Sequence, residues 1–248
     1  MQIKISLSAL LLLIVLSCPV YAQTWTNVSP SWTAANVYAE SMAVYGGNLY
    51  VGTEYTGPAD TAQVWQYNGT TWTNVSPSWA TGNYSAESMA VYGGNLYVGT
   101  GHYSGPAQVW QYNGTTWTNV SPSWTATNDS AQTMTVYGGN LYVGMGNTYY
   151  LPAQVWQYNG TTWTNVSPSW DATNAYALSM AVYGDNLYVG TRKYGGPAQV
   201  WQLFVQPTTA TAVSTMTEWG MIVFALLAGL SSAYYLRRKK RVGSSSII

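Results

Sequence analysis

The sequence predicts an all-β chain, a four-bladed β-propeller, placed between an N-terminal signal peptide and one C-terminal transmembrane helix. Three observations point there. The 18-residue stretch Ala107–Trp124 recurs almost letter for letter at Ala62–Trp79 and Ala153–Trp170. Its second half stands alone at Trp25–Trp32 and its first half at Ala198–Gln202, so the two ends hold the missing halves of one unit. The equivalent tryptophans Trp25, Trp72, Trp117 and Trp163 are spaced 47, 45 and 46 residues apart, within the usual length of a propeller blade.

Residues 1–22 read as a secretory signal. Lys4 precedes an apolar run from Ile5 to Leu16, and Val20-Tyr21-Ala22 offers small side chains at the cleavage position, so the mature chain is expected to start at Gln23. Cys18, the one cysteine of the sequence, falls inside this segment, which leaves the mature protein without a thiol, a disulfide or a thiolate metal site. A lipidated Cys18 is the alternative, although Leu16 is bulky for a lipobox.

Within a repeat, Ser88–Tyr92 and Leu96–Thr100 flank Gly93-Gly94-Asn95, and Gln108–Tyr112 and Thr115–Val120 flank Asn113-Gly114. Both read as hairpins; Asn-Gly is the dipeptide preferred by a two-residue type I′ turn. Each unit is thus four antiparallel strands, a to d. Alternation marks Met89, Val91, Leu96, Val98, Val109 and Trp117 as candidates for buried faces. The lone strand d at Thr24–Val28 is expected to pair with the lone strand c at Gln199–Phe204, completing the fourth blade and removing open sheet edges. A half-ring that dimerises into eight blades is the rival arrangement.

The units differ at one end only. The step from the last Trp of strand d to the Met of strand a is ten residues in every copy (Trp32 to Met42, Trp79 to Met89, Trp124 to Met134, Trp170 to Met180), but its letters change. From the strand-b Gly to the strand-c Gln the step is 11, 9, 10 and 9. The d–a and b–c loops project from one face, and that face carries Tyr38, Glu40, Tyr55, Tyr84, Glu87, His102, Tyr103, Asp129, Tyr149, Tyr150, Tyr176, Arg192 and Tyr194. Tyrosines among scattered hydrogen-bonding groups suit recognition of an extracellular glycan or protein; drift of unconstrained loops after duplication is the plain alternative. A structural envelope or matrix role without a soluble ligand also fits.

Charge and composition narrow the function. Only 6% of residues are charged. Residues 23–205 hold two bases against seven acids, a net −5 without basic clusters, a poor match to a phosphate backbone, so nucleic acid is not expected as a partner. A lone His102 and the absence of a mature thiol give no basis for a histidine-based metal site, a Ser-His-Asp set or a cysteine nucleophile. No catalytic residue, metal or cofactor is therefore expected, and the protein is not expected to be an enzyme. The one acid pair considered is Glu40 and Glu87, at equivalent positions of neighbouring units, which would meet near the axis as a glycosidase dyad does; the copies have Gln132 and Leu178 there.

After a short Thr/Ala linker, Trp219–Leu236 is an uncharged, mostly apolar run of 18 residues, about the minimum for a spanning helix. Arg237, Arg238, Lys239, Lys240 and Arg241 follow, which places that end in the cytoplasm and the repeats outside. The expected organisation is a signal peptide over 1–22, repeats over 23–206, a linker and motif over 207–218, a transmembrane helix over 219–236 and a basic tail over 237–248.

The tail resembles the IPTL-CTERM class of bacterial sorting domains, relatives of PEP-CTERM, whose consensus runs Ile-Pro-Thr-Leu-Ser-Glu-Trp-Gly. Val213–Gly220 keeps Thr215, Glu218, Trp219 and Gly220, with Ser214 in place of the proline. The resemblance implies a Gram-negative exported protein, partnered by signal peptidase and an exosortase-like enzyme, held in the inner membrane and then processed towards the surface or matrix. The repeats resemble kelch units. Leu96–Thr100 stands where kelch has a hydrophobic strand ending in Gly-Gly, and Tyr112 and Trp117 keep its Tyr-to-Trp spacing; the second glycine is Thr53, Thr100, Met145 or Thr191 here.

Overall fold

The computed structural model describes residues 23–56, 61–147 and 151–204, with five helical positions of the tail, Leu226, Leu227, Leu230, Tyr234 and Tyr235. The expected signal peptide, the sorting motif and most of the expected span lie outside the described residues. Among those described, no helix is long and apolar enough to cross a membrane.

The repeats form fifteen antiparallel strands in four successive units. The first is β1 (Asn36–Tyr45), β2 (Asn48–Tyr55), β3 (Val64–Tyr67) and β4 (Trp72–Asn74); the second is β5 (Asn83–Tyr92), β6 (Asn95–His102), β7 (Val109–Tyr112) and β8 (Trp117–Asn119). The third is β9 (Ser130–Tyr137), β10 (Asn140–Gly146), β11 (Gln154–Tyr158) and β12 (Trp163–Asn165). The fourth has three strands, β13 (Asn174–Tyr183), β14 (Asn186–Lys193) and β15 (Gln199–Leu203). Units join through single bridges between the end of one strand b and the start of the next strand a: Glu54 with Ser85, Gly101 with Ser130, Gly146 with Tyr176. The d–a and b–c loops therefore share one end of the molecule. The arrangement is a β-propeller-like fold.

The a–b turns are two-residue hairpins. Tyr45 pairs with Asn48, and Gly46 and Gly47 take φ of 55° and 78°, the left-handed pair that a type I′ turn needs. The Asn-Gly turns differ from expectation. Tyr67 pairs with Trp72, so the loop is Asn68-Gly69-Thr70-Thr71, four residues long. The Asn68 side chain accepts from the Thr70 and Thr71 amides at 2.9 and 2.8 Å. An Asx-type acceptor shapes the loop from within, and the same bonds recur at Asn113 and Asn159.

The core lies between units. Three apolar clusters form at the three junctions, one holding Tyr50, Val64, Trp79, Leu96 and Val98, and its copies following at the next two. Leu96, Tyr97 and Val98 are all buried. Simple alternation does not anticipate this, because a central strand with a unit on each side has two dry faces. Val109 is also buried, Met89 and Trp117 are half-buried, and Val91 is exposed. Burying a tryptophan as fully as Trp79, Trp124 or Trp170 is worth roughly 4–6 kcal/mol before chain entropy is charged. Glycines let the units close: a Cβ on Gly99 would lie 2.7 Å from the Ala131 Cβ, and Ser88 Oγ donates to the Ala131 carbonyl at 2.6 Å.

The ring expected from the half-units is not closed. Residues 24–28 form no strand, β15 has no fourth-strand partner among the described residues, and Trp25 is 100% exposed. The N-terminal segment sits against the first unit as the end of a preceding unit would, with Trp72 Nε1 donating to the Val28 carbonyl at 2.6 Å and Trp32 meeting Trp72 edge to face at 6.0 Å, but it does not pair with β15.

Candidate functional site

The site grows out of β-bulges in the first strand of each unit. In the register, Ala39 pairs with Thr53 and Ser41 with Gly52, which leaves Glu40 as the extra residue. Glu87, Gln132 and Leu178 are skipped in the same way. A bulge breaks the alternation and re-aims one side chain, so one position in each unit is turned towards the loop end.

Glu87 is the centre of the arrangement. Its Oε1 accepts from the Tyr84 hydroxyl at 3.3 Å. Its Oε2 accepts a short bond from Ser130 Oγ, which in turn accepts from Gln132 Nε2. The carboxyl lies against Gly101, where a Cβ would come within 2.4 Å of Oε1 and 2.9 Å of the Tyr84 ring. At the corresponding positions stand Glu54, Gly146 and Arg192, and Gly146 likewise leaves room for the Tyr176 ring at 2.5 Å from a would-be Cβ. Enclosure by protein raises the Glu87 pKa to about 7, and the charges of Glu40 and Glu54 push the same way against its two hydrogen bonds. Burial, then a hydrogen bond and repulsion from Glu40, also raise Glu54.

Aromatic rings flank the carboxyl group. Tyr84 stacks on Tyr103 at 4.3 Å and 24°, and the Tyr103 hydroxyl donates to the Tyr55 carbonyl at 3.4 Å. Burial and the neighbouring carboxylates raise the Tyr84 phenol well above its usual range. On the far side Arg192 lies 4.7 Å from the Tyr194 centroid and 5.5 Å from that of Tyr176, a cation between two π faces. Burial pushes the Tyr176 phenol up to about 12. Between these walls is a cavity of about 450 Å³, lined by Tyr84, Tyr103, Ser130, Gln132, Tyr176 and Arg192 among others.

The structure thus gathers much of the variable face. His102 and Asp129 also border the cavity; the His102 Nδ1 accepts from the Ser104 amide at 3.1 Å, so the ring holds its own loop. Glu87 is bonded to the lining residues Tyr84 and Ser130, and Tyr194 packs beneath Arg192. Tyr38 and Glu40 are exposed on β1 and do not line the cavity, and the Tyr55 carbonyl accepts from Tyr103. Tyr149 and Tyr150 lie outside the described residues. Ser130 and Gly101 were not among the expected site residues. Aligning the units signals both: Ser130 stands where others have Tyr38, Ser85 and Tyr176, and Gly101 where others have Glu54 or Arg192. Among the described residues no group of three His, Cys, Asp or Glu side chains is placed to hold a metal ion.

No protein-family model matches the chain, and no curated protein matches it in sequence. Among solved structures it is similar to an α-L-arabinofuranosidase from Clostridium thermocellum (15% identity, 68% of each chain, TM-score 0.44). It is also similar to the fucose-specific lectin of Aleuria aurantia (16% identity, 63% of this chain and 53% of that one, TM-score 0.45) and to the sialidase of Trypanosoma rangeli (12% identity, 64% and 29%, TM-score 0.42). The chain spans about half of the lectin and under a third of the sialidase. TM-scores below 0.5 carry no ligand or activity across. The expectation of a protein without catalysis is nonetheless corrected. Glycoside hydrolases stand beside a lectin among these structures. The structure itself also holds an enclosed carboxyl, Glu87, with its pKa near neutrality beside other carboxyls.

Proposed function

We propose that the loop-end cavity is a carbohydrate-binding site of an exported protein. The observation that supports this best is the pairing of stacked Tyr84 and Tyr103 on one wall with the Glu87–Ser130–Gln132 hydrogen-bond chain beside it. Sugars present an apolar ring face and a rim of hydroxyls that both donate and accept. Aromatic faces match the first, and carboxyl, amide and guanidinium groups match the second. A cavity of about 450 Å³ is within the range of small-molecule sites. The signal-like residues 1–22 and the basic-ended tail support display outside the cytoplasm, at the inner membrane or, after processing, at the surface.

A second reading, cleavage of the bound glycan, is favoured by Glu87. A carboxyl with a pKa of about 7 is protonated over part of the neutral range, as a general acid must be. Binding of the purified protein to an immobilised glycan array tests the first reading: signal lost in Tyr103→Ala supports it, and an array with no signal above background for the unaltered protein refutes it. Release of reducing ends from a bound glycan, abolished by Glu87→Gln, is the result that establishes the second.

A further inference from the structure

At the open end of the fourth unit is an apolar cavity of about 300 Å³, lined by Val166, Trp170, Leu187, Val189, Trp201 and Leu203 among others. Each has a counterpart at the earlier junctions. Their equivalents one unit back are Val120, Trp124, Leu141, Val143, Trp156 and Tyr158, and those residues surround Trp163. One unit further back the same set surrounds Trp117, which stacks on Tyr112 at 4.6 Å. In both cases the indole Nε1 donates at 2.6 Å to a valine carbonyl of the preceding unit, Val75 for Trp117 and Val120 for Trp163. The fourth-unit cavity is therefore the socket of a strand-d tryptophan, with the Val166 carbonyl at the acceptor position.

The chain has one strand-d tryptophan outside a socket. Thr24–Trp32 repeats Thr71–Trp79 letter for letter, and Trp25 is fully exposed. Its own segment is already seated by Val28 and Trp32 on the first unit, opposite the end that lacks strand d. The faces flanking the two ends are also bare. Met42 and Val44 are 59% and 70% exposed on the first unit, and Tyr183 and Val200 are 77% and 75% exposed on the fourth. The counterparts of Tyr183 and Val200 at the internal junctions, Tyr92 and Val109, pack against the next unit.

We propose that two copies of this chain associate so that Trp25 of each fills the fourth-unit socket of the other, residues 24–28 completing the missing strand. Both joints repeat the internal ones, so two open arcs close without leaving a free edge. The second copy is favoured over the chain's own N-terminus because that segment, as seated, leaves Trp25 in solvent.

Light scattering on the purified chain checks this: a two-chain mass that falls to one chain in Trp25→Ala is expected, with the β circular-dichroism signature of the repeats retained because Trp25 is fully exposed within its own fold. A one-chain mass for the unaltered protein, or open-ended polymers, overturns it. By analogy with Thr73 and Gln66, Thr26 faces Gln202 across the joint, at a separation a disulfide spans. In a Cys18→Ser background, chains carrying Thr26→Cys and chains carrying Gln202→Cys should crosslink to each other on mixing. A chain carrying both that closes into a disulfide-bonded monomer overturns the proposal and shows self-closure instead.

Discussion

Ser130 of the third unit donates its hydroxyl proton to the Glu87 carboxyl of the second, across the junction between them. The bond ties the recognition face to the packing of the units, since neither residue is placed without the bridge between Gly101 and Ser130. It also lowers the Glu87 pKa against the larger effect of enclosure. Ser130→Ala removes that contribution, so the Glu87 titration should move further up. Carbon-13 NMR of the carboxyl against pH reads the change; an unmoved or lowered midpoint contradicts the assigned bond.

Glu87 makes stability depend on pH. Its folded pKa of about 7 lies above the usual 4.5, so between those values the unfolded chain holds fewer protons and stability falls as pH rises, levelling above about 7. At ~1.4 kcal/mol for each pH unit the titration moves, the loss is at most about 3 kcal/mol. Urea unfolding at pH 5 and pH 7.5 should show this decline in the unaltered protein and a flatter profile in Glu87→Gln.

Tyr103 is 57% exposed and stacks on Tyr84, so Tyr103→Ala should leave the melting temperature almost unchanged. If the cavity binds sugar, the same change should weaken binding by about tenfold or more, since an aromatic face carries roughly 1 kcal/mol beyond its area. Calorimetric titration with an array-positive glycan gives the number. Equal affinity in the variant would remove Tyr103 from the site.

A buried polar link recurs behind the loop end. Thr100 Oγ1 donates to Asn83 Oδ1 at 2.6 Å, and Asn83 Nδ2 donates to Gln108 Oε1 at 3.1 Å. In the third unit Met145 replaces the threonine, and Asn128 Oδ1 has no hydrogen-bond partner. Thr100→Val keeps the shape and removes the donor, so it should cost about 1–3 kcal/mol. The check is equilibrium unfolding, and a neutral result would show that Asn83 finds another donor.

Gly99 and Gly190 hold equivalent positions with different neighbours. A Cβ on Gly99 meets Ala131 and Met134 of the next unit, whereas on Gly190 it meets only Ser179 of its own unit. Gly99→Ala should therefore destabilise by about 1–3 kcal/mol as overpacking does, and Gly190→Ala by less. If two chains meet at the fourth unit, Gly190→Ala should instead weaken association in light scattering.

Most of the architecture was legible in the repeat. Hydrophobic strands broken at Gly93-Gly94 and Asn113-Gly114 gave the hairpins, and constant d–a spacing with variable b–c spacing located the variable face. The bulges were not legible. Nothing in the local letters around Glu87 or Gln132 shows a skipped residue, because a bulge is fixed by the register of strand b against strand a. Glu40 and Glu87 stand at equivalent bulges, but Glu40 is exposed and outside the cavity lining, and Glu54 entered only when the end of β2 was brought beside them.

The sequence by itself determined the units, their hairpins, the shared face of the loops and the mismatch of half-units at the two ends, because each depends on local backbone preference and on copies of one pattern. The tertiary structure decided which residues meet. It enclosed Glu87 beside Ser130, stacked Tyr84 on Tyr103, held Arg192 between two tyrosines, and left the N-terminal segment against the first unit without pairing it to the fourth. Those outcomes depend on how one unit's side chains fill the gaps of the next, and packing across a junction is not written in either unit alone.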